Sequence, residues 1–420
     1  MKKSILAASV GTVALAGLAW AAAGGMGNGN GGDTVLLPAN SPSASAASAP
    51  VVRASPAAAA DGTRLAADGK HIVDAYICVF RAGAVGRGNE RAEANRSANA
   101  ASGSVGHVYE HALQGFSVHA SARGIEQMAR NNPRIDYCEQ DQVMTVIDPV
   151  FADAAPGGVT VTAGGTQQTP PGITRVNGGV SGALGTAWVI DTGIDLTHPD
   201  LNVDSVRSKN FVTRESSPND LNGHGSHVSG TIAAKDNTEG VIGVAAGAQL
   251  VAVRVLNKRG SGSNSDVIAG VDYVAANGKA GDVANMSLGG GTSVALDTAV
   301  LNASQTAAKV KFALAAGNDG GDANLHSPAR VNGPQIYTIA AFNAENGAWA
   351  SFSNYNTPPV DYAEPGVNVL STWKSGGYTT ISGTSMATPH MAGLLLLGSV
   401  IDGGSVTRTG ASDSYVIGKH

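Results

Sequence analysis

Four polar residues stand where apolar runs of the sequence meet helix-like runs. They are an aspartate, a histidine, an asparagine and a serine, at positions Asp191, His224, Asn318 and Ser385. Each has an ordinary explanation when taken alone, such as a turn residue for Asp191 or a helix N-cap for Ser385. Together they supply an acid, a base, a neutral amide donor and a nucleophile, which is the set that acyl transfer needs.

The chemistry of this set depends on how the residues are combined. A serine hydroxyl becomes a strong nucleophile only when an imidazole accepts its proton, and a buried carboxylate holds that imidazole in the correct tautomer. The chain order here is Asp, His, Ser, which differs from the order in chymotrypsin-type enzymes and in α/β-hydrolases. Ser385 also lies in Gly-Thr-Ser-Met-Ala rather than in a G-x-S-x-G elbow, so the sequence disfavours a lipase.

A sheet is needed to bring these residues together, and the sequence after about residue 185 predicts one. Continuous apolar runs alternate with segments of helical spacing, which indicates an α/β fold with a mostly parallel doubly wound sheet. The apolar runs are TAWVIDTGID, QLVAVRVL, DVANMSLGG, VKFALAAGND and IYTIAAF. Sites in such sheets lie at the carboxyl ends of the strands, where Asp191 and Asn318 fall.

Residues 70–147 predict a separate, small α+β domain. Its segments follow the order β-α-β-β-α-β, which is that of a split-βαβ, ferredoxin-like unit. Cys78 and Cys138 lie in the first and last strands, which are neighbours in this topology. Geometry therefore allows a cross-strand disulfide, and two buried free thiols are the equal alternative.

The flanking segments predict export and connection. Residues 1–23 combine Lys2 and Lys3 with an apolar core and an alanine-rich end, as in a cleaved signal peptide, with an uncleaved anchor as the alternative. Residues 24–69 are predicted to be a disordered linker because small and turn residues dominate, and residues 148–166 a second linker. We therefore expect a secreted protein, with a periplasmic or cell-surface location as the alternative.

The overall composition excludes some partners. Charged residues make up 14% of the chain, the formal net charge is −5, and there is no long basic run. Nucleic acid is therefore not expected as a partner. The two cysteines show no zinc-type spacing with histidine.

Five ordered segments of the C-terminal half resemble the motifs of the subtilisin family, nearest to its proteinase K-like branch. The segments are VIDTGID, GHGSHVSGT, SLGGG, AAGN and SGTSMATPHMAG. The resemblance implies a subtilisin-like catalytic domain over residues 167–420, an inhibitory prodomain over residues 70–147 and autocleavage somewhere within 147–166. It implies a secreted serine endopeptidase, made as a self-processed zymogen and monomeric, whose partners are polypeptide substrates and its own prodomain.

The same resemblance assigns roles to individual residues. Asp191, His224 and Ser385 would form the catalytic triad, and the Asn318 side chain and the Ser385 N–H would form the oxyanion hole. Two further segments would bind the substrate backbone and wall a roomy first pocket for apolar or aromatic side chains. These are Ser287, Leu288, Gly289, Gly290, Ala315, Ala316 and Gly317.

The resemblance implies a metal ion that stabilises the fold, and it implies no metal ion or other cofactor for catalysis. In proteinase K-like members, two backbone carbonyls and one aspartate hold calcium, and the matching positions here are Pro334, Ile336 and Asp361. Oxygen ligands suit calcium, although a single carboxylate supplies little charge.

Several positions depart from the family pattern. Ser226 and Ser229 replace a threonine and an alanine in the histidine motif, and both changes are expected to spare His224. Only 35 residues follow Ser385, with no clear final helix, so part of the core is expected to be exposed.

Two further expectations concern the histidines. His227 and His390 are expected to be packed structural residues. His224 must be neutral to act as a base, so activity is expected to rise from neutral towards mildly alkaline pH.

Two other functions are alternatives to the protease. One is a non-catalytic binding protein with a degenerate form of the same fold, and the presence of all four catalytic residue types argues against it. The other is a structural or adhesive surface protein, suggested by the Gly/Ala/Ser-rich flanks, which linkers explain equally well.

Overall fold

A computed structural model of the chain describes residues 57–58, 64–147, 165–213 and 215–420. All of them belong to one unit that spans residues 52–420. The predicted signal peptide, most of the first predicted linker and residues 148–164 lie outside the described residues. We refer to residues 64–147 as the N-terminal module and to residues 165–420 as the C-terminal domain.

The N-terminal module has the predicted order of strands and helices. Its elements are β3 (His71–Phe80), α1 (Glu90–Ala100), β4 (Ser104–Tyr109), β5 (Gly115–His119), α2 (Ala122–Asn131) and β6 (Ile135–Val146). Strand β3 lies between β5 and β6 and is antiparallel to both. Ser121 caps the N-terminus of helix α2 by accepting the Gly124 N–H with its side chain, and the helix ends before Pro133.

Two short strands precede this sheet, where the sequence predicts a linker. They are β1 (Ala57–Ala58) and β2 (Arg64–Leu65), and Leu65 pairs with Ile72 of β3. The ordered ladder therefore begins before the predicted domain boundary at residue 70, because backbone pairing with a long strand does not require an apolar sequence.

The two cysteines of the chain are joined. Cys78 of β3 and Cys138 of β6 are directly opposite in the antiparallel ladder, and their sulfur atoms form a disulfide. Of the two alternatives that the sequence left open, the structure has the paired one.

The C-terminal domain consists of a central sheet with helices on both faces. Its principal elements are α3 (Pro171–Arg175), β7 (Ala187–Asp191), β8 (Lys209–Asn210), α4 (His224–Ala233), β9 (Leu250–Arg254), β10 (Ser261–Ser263), α5 (Asn264–Asn277), β11 (Val283–Met286), β12 (Leu288–Gly290), α6 (Val294–Ser304), β13 (Lys311–Ala315), β14 (Ile336–Phe342), β15 (Val360–Pro365), β16 (Val369–Trp373), β17 (Gly377–Ile381), α7 (Thr384–Leu397), β18 (Ile401–Thr407) and β19 (Ser414–Lys419). The sheet has the strand order β18-β19-β15-β14-β13-β11-β7-β9-β8 and is parallel except for the final hairpin of β18 and β19. This confirms the predicted doubly wound α/β fold.

Alternate residues of one strand show why the sheet is apolar on both faces. Trp188 and Ile190 of β7 pack in one cluster with helices α5 and α6, whereas Ala187 and Val189 pack in a second cluster with helices α4 and α7. All four side chains are fully buried. A strand covered on both faces cannot alternate polar and apolar residues, and this explains the continuous apolar runs of the sequence.

The C-terminal residues form a hairpin instead of leaving the core open. Strands β18 and β19 pair with each other, and Val416 of β19 pairs with Tyr362 of β15 at the sheet edge. Val406, Tyr415 and Ile417 are buried there. The expected exposure of the core is therefore not found, because a two-stranded extension covers this edge.

None of the helices in the described ranges is long and apolar enough to cross a bilayer.

Candidate active site

Asp191 and His224 form a buried hydrogen-bonded pair at the carboxyl end of β7. The Nδ1 atom of His224 lies 2.8 Å and 3.0 Å from the two carboxylate oxygens of Asp191. Both side chains are essentially inaccessible to solvent. This geometry holds the imidazole with its Nδ1 hydrogen on the carboxylate, so that Nε2 is the nitrogen that can accept a proton.

A second carboxylate, Asp220, holds the two segments that carry this pair. It accepts hydrogen bonds from the Thr192 hydroxyl at 2.9 Å, from the Gly223 N–H at 2.8 Å and from the Ser226 N–H at 2.9 Å. Asp220 is buried, and desolvation raises its pKa above the ordinary value. The end of β7 and the start of the helix that begins at His224 are thereby joined through one side chain.

Glycines on either side of His224 let neighbouring segments pack closely against the start of its helix. A Cβ atom at Gly225 would collide with the carbonyl oxygen of Gly193, and one at Gly223 would collide with the Trp373 ring. Gly223 also has φ of 117°, which favours glycine.

The two serines that depart from the family pattern keep the helix intact. The Ser226 hydroxyl donates to Asp220 at 2.7 Å and accepts the Asp195 N–H at 3.0 Å. The Ser229 hydroxyl donates to the Gly225 carbonyl one turn earlier, at 2.7 Å. Neither change leaves a buried hydroxyl unpaired.

Ser385 is the second residue of helix α7 and is fully buried. Its Oγ lies 3.2 Å from the carbonyl oxygen of Ser287 and 3.4 Å from that of Ile147. Within the part of the chain that the structure describes, His224 Nε2 makes no hydrogen bond. The structure therefore brings Asp191 to His224 but directs the Ser385 hydroxyl to two carbonyl groups.

The Asn318 amide has a fixed orientation beside Ser385. Its Oδ1 accepts hydrogen bonds from both the N–H and the hydroxyl of Thr384, each at 2.9 Å. The Thr384 hydroxyl in turn accepts the Gly317 N–H at 3.1 Å. Because the oxygen end is held in this way, Nδ2 is the donor end of the amide, as an oxyanion-hole residue requires.

The end of β6 lies between two strands of the C-terminal domain. On one side Gly289 of β12 pairs with Thr145, and on the other side Ser261 of β10 pairs with the same residue. Both ladders are antiparallel. Of the predicted substrate segment, Leu288, Gly289 and Gly290 pair with β6, and Ser287 lies just before this ladder. The opposite wall, β10, was missed by sequence reasoning.

Glycines of these walls contact the side chains of the added strand. A Cβ at Gly289 would lie 3.4 Å from the Ile147 side chain, and one at Gly290 would lie 3.3 Å from that of Met144. A Cβ at Gly260, in the turn before β10, would lie 2.8 Å from the side chain of Val146. Small residues thus leave the space that larger side chains of the strand occupy.

The remaining predicted pocket residues are at the end of β13. Ala315 and Ala316 are fully buried, and Gly317 has φ of 112° immediately before Asn318. These residues lead directly into Asn318.

Three carboxylates fix the N-terminal module on the C-terminal domain, and sequence reasoning found none of them. Glu139 accepts the Val294 N–H at the start of α6, at 3.1 Å. Asp141 accepts the Ser265 hydroxyl at 2.6 Å, and burial raises its pKa to about 7. Asp272 accepts the His111 N–H at 2.7 Å. Glu139 and Asp141 lie in β6 and Asp272 lies in α5, and an acidic residue in a strand or helix gives no local sign of a distant partner.

The two other histidines of these helices are packed as expected. His227 is buried beside the Val369 carbonyl, and burial lowers its pKa to about 3. His390 is buried with Nδ1 2.9 Å from the Met386 carbonyl, and burial lowers its pKa to about 4.

The predicted calcium ligands lie at the start of β14 and in β15. Asp361 accepts the Thr338 N–H at 2.9 Å, and the Pro334 carbonyl accepts the Gln305 amide at 3.0 Å. Burial raises the pKa of Asp361 to about 6, and the hydrogen bond from the Thr338 N–H opposes this shift. Among the described residues, no group of three or more His, Cys, Asp or Glu side chains could hold a metal ion.

Comparison with known proteins gives two family matches. The model of the subtilase family matches residues 188–399, and that of peptidase inhibitor I9 matches residues 76–146.

Similar curated proteins are proteases. The chain is 41% identical over 345 residues to alkaline serine exoprotease A of Vibrio alginolyticus, a match that covers 79% of this chain and 62% of that protein. It is 38% identical over 338 residues to the cuticle-degrading protease of Metarhizium anisopliae, covering 79% and 81% respectively. It is 41% identical over 309 residues to the extracellular serine proteinase of a Thermus species, covering 73% and 71%.

Proposed function

The chain belongs to the subtilase family of serine proteases and carries an I9 inhibitor prodomain, and from this premise we propose how it works. It is made as a zymogen that cuts itself, and it then hydrolyses peptide bonds with Asp191, His224 and Ser385 through an acyl-enzyme. The N-terminal module is the prodomain, and it stays in the cleft after the first cut as an inhibitor that resembles a product.

One observation carries this proposal: Ile147, at the end of the described prodomain residues, lies against the proposed nucleophile. The Ile147 carbonyl oxygen lies 3.4 Å from Ser385 Oγ, and the preceding residues pair with β10 and β12 as an extended substrate would. A peptide held in this way presents the bond after Ile147 to the serine.

The proposed reaction begins with a change in the partner of the Ser385 hydroxyl. Rotation about the Cα–Cβ bond of Ser385 moves its Oγ from the Ser287 carbonyl to His224 Nε2. The Nε2 atom then takes the hydroxyl proton as Oγ attacks the substrate carbonyl. The resulting imidazolium is stabilised by Asp191. The oxyanion is bound by Asn318 Nδ2 and the Ser385 N–H at the start of α7.

The second half of the cycle repeats these steps with water. His224 first gives its proton to the departing amine, leaving the acyl group on Ser385. A water molecule then enters, loses a proton to His224 and attacks the ester, which frees the product acid and restores the hydroxyl.

We expect the first self-cleavage between Ile147 and Asp148. Mass spectrometry and N-terminal sequencing of the first processed form should give a new N-terminus at Asp148. Ile147→Asp should slow this cut at least about tenfold, because a charge would enter an apolar pocket beside Gly289. Ile147→Val is the matched control and should be cut at the wild-type rate. A first N-terminus near residue 165 in every variant would contradict the assignment.

The pocket that receives Ile147 should accept apolar and aromatic side chains before the scissile bond. Its glycine and alanine walls supply space but no charge, so peptides with Leu or Phe at that position should be cut at least about tenfold faster than peptides with Asp. The measurement is kcat/KM for peptides that differ only there, with Lys as a further comparison. A strict preference for a charged residue at this position would contradict the proposed pocket.

Calcium is proposed as a structural ion and not as a catalytic one. The proposed ligands are the Asp361 carboxylate and the Pro334 and Ile336 carbonyls, which are oxygen donors of the kind that calcium prefers. The ion would supply positive charge beside β15, and no catalytic step passes through it.

Removal of calcium should lower the thermal midpoint by about 5 °C, a size typical of the loss of a moderately tight ligand. The measurement is thermal unfolding of the Ser385→Ala chain with calcium or with a chelator, so that self-digestion does not interfere. The Asp361→Asn variant of this chain should unfold at the lower midpoint both with calcium and with the chelator. Equal midpoints for the parent chain in both conditions would argue against the site.

Location and assembly follow from the same proposal. Residues 1–23 are proposed as a cleaved signal peptide, and a relative named as an extracellular proteinase supports secretion. The protease is proposed to act as a monomer on polypeptides, and nucleic acid is not proposed as a partner.

A further inference from the structure

The Cys78–Cys138 disulfide is attached to the strand that fills the active-site cleft. Cys138 belongs to β6, and Ile147, which contacts Ser385, follows nine residues later in the same continuous segment. Between them, Glu139 binds the start of α6 and Asp141 binds the start of α5. Strand β6 is thus shared: its first part belongs to the prodomain sheet and its last part to the cleft.

The prodomain has a small apolar core of its own. The cluster between its sheet and helices has twelve buried members, of which four are alanine: Cys78, Phe80, Val85, Ala94, Ala98, Ala101, Phe116, Val118, Ala120, Ile125, Met128 and Ile135. A domain of this size with so little apolar volume is marginally stable by itself.

Much of the remaining apolar surface of the prodomain is buried only against the protease. Seven of its residues pack in one cluster with residues of the C-terminal domain: Ile77, Val79, Tyr109, Ala112, Leu113, Met144 and Val146. These contacts are lost whenever the cut prodomain separates, and the free prodomain must then keep its fold with the smaller cluster. A covalent cross-link that closes a loop of 60 residues lowers the entropy of the unfolded chain and so favours the folded state.

We propose that this disulfide keeps the processed protease inhibited by its prodomain until a thiol reductant breaks the bond. Oxidised, it keeps the cut prodomain folded, so that β6 rebinds the cleft as a preformed strand after each separation. Reduced, the prodomain unfolds once it separates, the short segment 143–147 alone binds weakly, and the freed chain is digested. The proposal rests on the proposed function, in which β6 inhibits by occupying the cleft.

The reduction step is an ordinary thiol–disulfide exchange with a dithiol as reductant. A thiolate of the dithiol attacks Cys138 Sγ, because Cys138 is partly accessible whereas Cys78 is fully buried. The S–S bond breaks and Cys78 leaves as a thiolate, which takes up a proton. The second thiol of the reductant then attacks the mixed disulfide and releases Cys138, so that two electrons and two protons pass to the protein and the dithiol becomes a disulfide.

The composition of the chain makes the test specific. The sequence has two cysteines in all, both in the prodomain, so a reductant can change this bond and no other. The protease domain itself has no cysteine and serves as an internal control: once free of its prodomain, it should have the same kcat/KM with and without dithiothreitol.

The experiment follows the appearance of activity from the purified, processed complex of the full chain. With a peptide substrate in excess, dithiothreitol should shorten the lag before half-maximal activity at least tenfold in the wild type. The Cys78→Ser/Cys138→Ser chain should show the short lag under both conditions. Wild type with an unchanged lag, while thiol labelling shows both cysteines reduced, would overturn the proposal.

A second measurement covers the case in which the double serine variant does not fold. The processed, oxidised wild-type complex is treated with dithiothreitol or buffer, and the amount of intact prodomain is followed by mass spectrometry. Reduction should speed the loss of the prodomain at least tenfold and leave the C-terminal domain intact, whereas equal rates, with thiol labelling showing both cysteines reduced, overturn the proposal. A different result would contradict the proposed function itself. If the processed wild-type complex is fully active without any lag, the prodomain does not inhibit.

Discussion

Ser385→Ala should leave the exported chain at full length and lower kcat by about a million-fold, a scale that comes from subtilisin itself, a member of the same family. The reason is that Oγ is the only atom lost, and it is the atom that meets the Ile147 carbonyl. The measurement is a gel and intact mass of the secreted protein beside wild type, followed by peptide hydrolysis. Wild type should shorten by the prodomain, and the variant should not.

The matched control for this change is a serine of the same segment with no role in the reaction. Ser382 is buried three residues earlier, and its hydroxyl accepts the Asn368 N–H at 2.8 Å. Ser382→Ala should be processed as wild type is. If Ser385→Ala and wild type are processed alike, another protease makes the cut and the nucleophile assignment loses its support from processing.

The result also bears on the orientation of the Ser385 hydroxyl. In the structure it is directed to the Ser287 and Ile147 carbonyls, while the Asp191–His224 pair is already formed. This is the arrangement expected when a bound strand occupies the cleft without reacting. Activity that depends on Ser385 would show that the hydroxyl turns to His224 when a substrate is bound productively.

Local sequence predicted the residues whose role is set by their place at a strand end. Asp191 ends β7 and His224 begins α4, and both positions follow from where apolar runs stop. The parallel sheet then brings the ends together, because strands that run in one direction end at one edge. The alternation of Trp188 and Ala187 between two clusters was likewise implied by an unbroken apolar run.

Residues that act through distant segments could not be predicted in the same way. Asp220 lies in a polar loop with no apolar pattern, yet it binds both Thr192 and Ser226. Asp141 contacts Ser265, more than a hundred residues later. Such contacts depend on how two domains or loops meet, and a carboxylate in a loop or strand gives no local sign of its partner.

The C-terminal hairpin shows a different limit. Residues 401–419 contain four glycines and few large apolar residues, so they resemble a loop. Their strands form because β15 offers an open parallel edge and because Tyr415 and Ile417 have a core to enter. The secondary structure of this segment is therefore set by tertiary pairing and not by its own composition.

Asp191→Asn should lower kcat by about ten-thousand-fold while the chain still folds, which is the loss typical of a triad aspartate. Asparagine keeps the volume and can still accept the Thr192 N–H, which bonds Asp191 at 2.7 Å. It carries no charge to stabilise the imidazolium, and its NH₂ group can donate to His224 Nδ1. That would place the imidazole proton on Nε2, which then cannot accept the Ser385 proton.

The measurement that isolates this effect compares Asp191, at the end of β7, with an aspartate of the loop that follows. Asp195 is also buried, and its carboxylate accepts the N–H groups of Thr197 and Gly376 without contacting His224. Asp195→Asn should lose some stability in urea unfolding but keep kcat within about tenfold of wild type. A similar loss of kcat in both variants would mean that the loop, and not the charge on the imidazole, is what Asp191 supplies. A large loss confined to Asp191→Asn assigns the effect to the carboxylate that the buried His224 Nδ1 contacts.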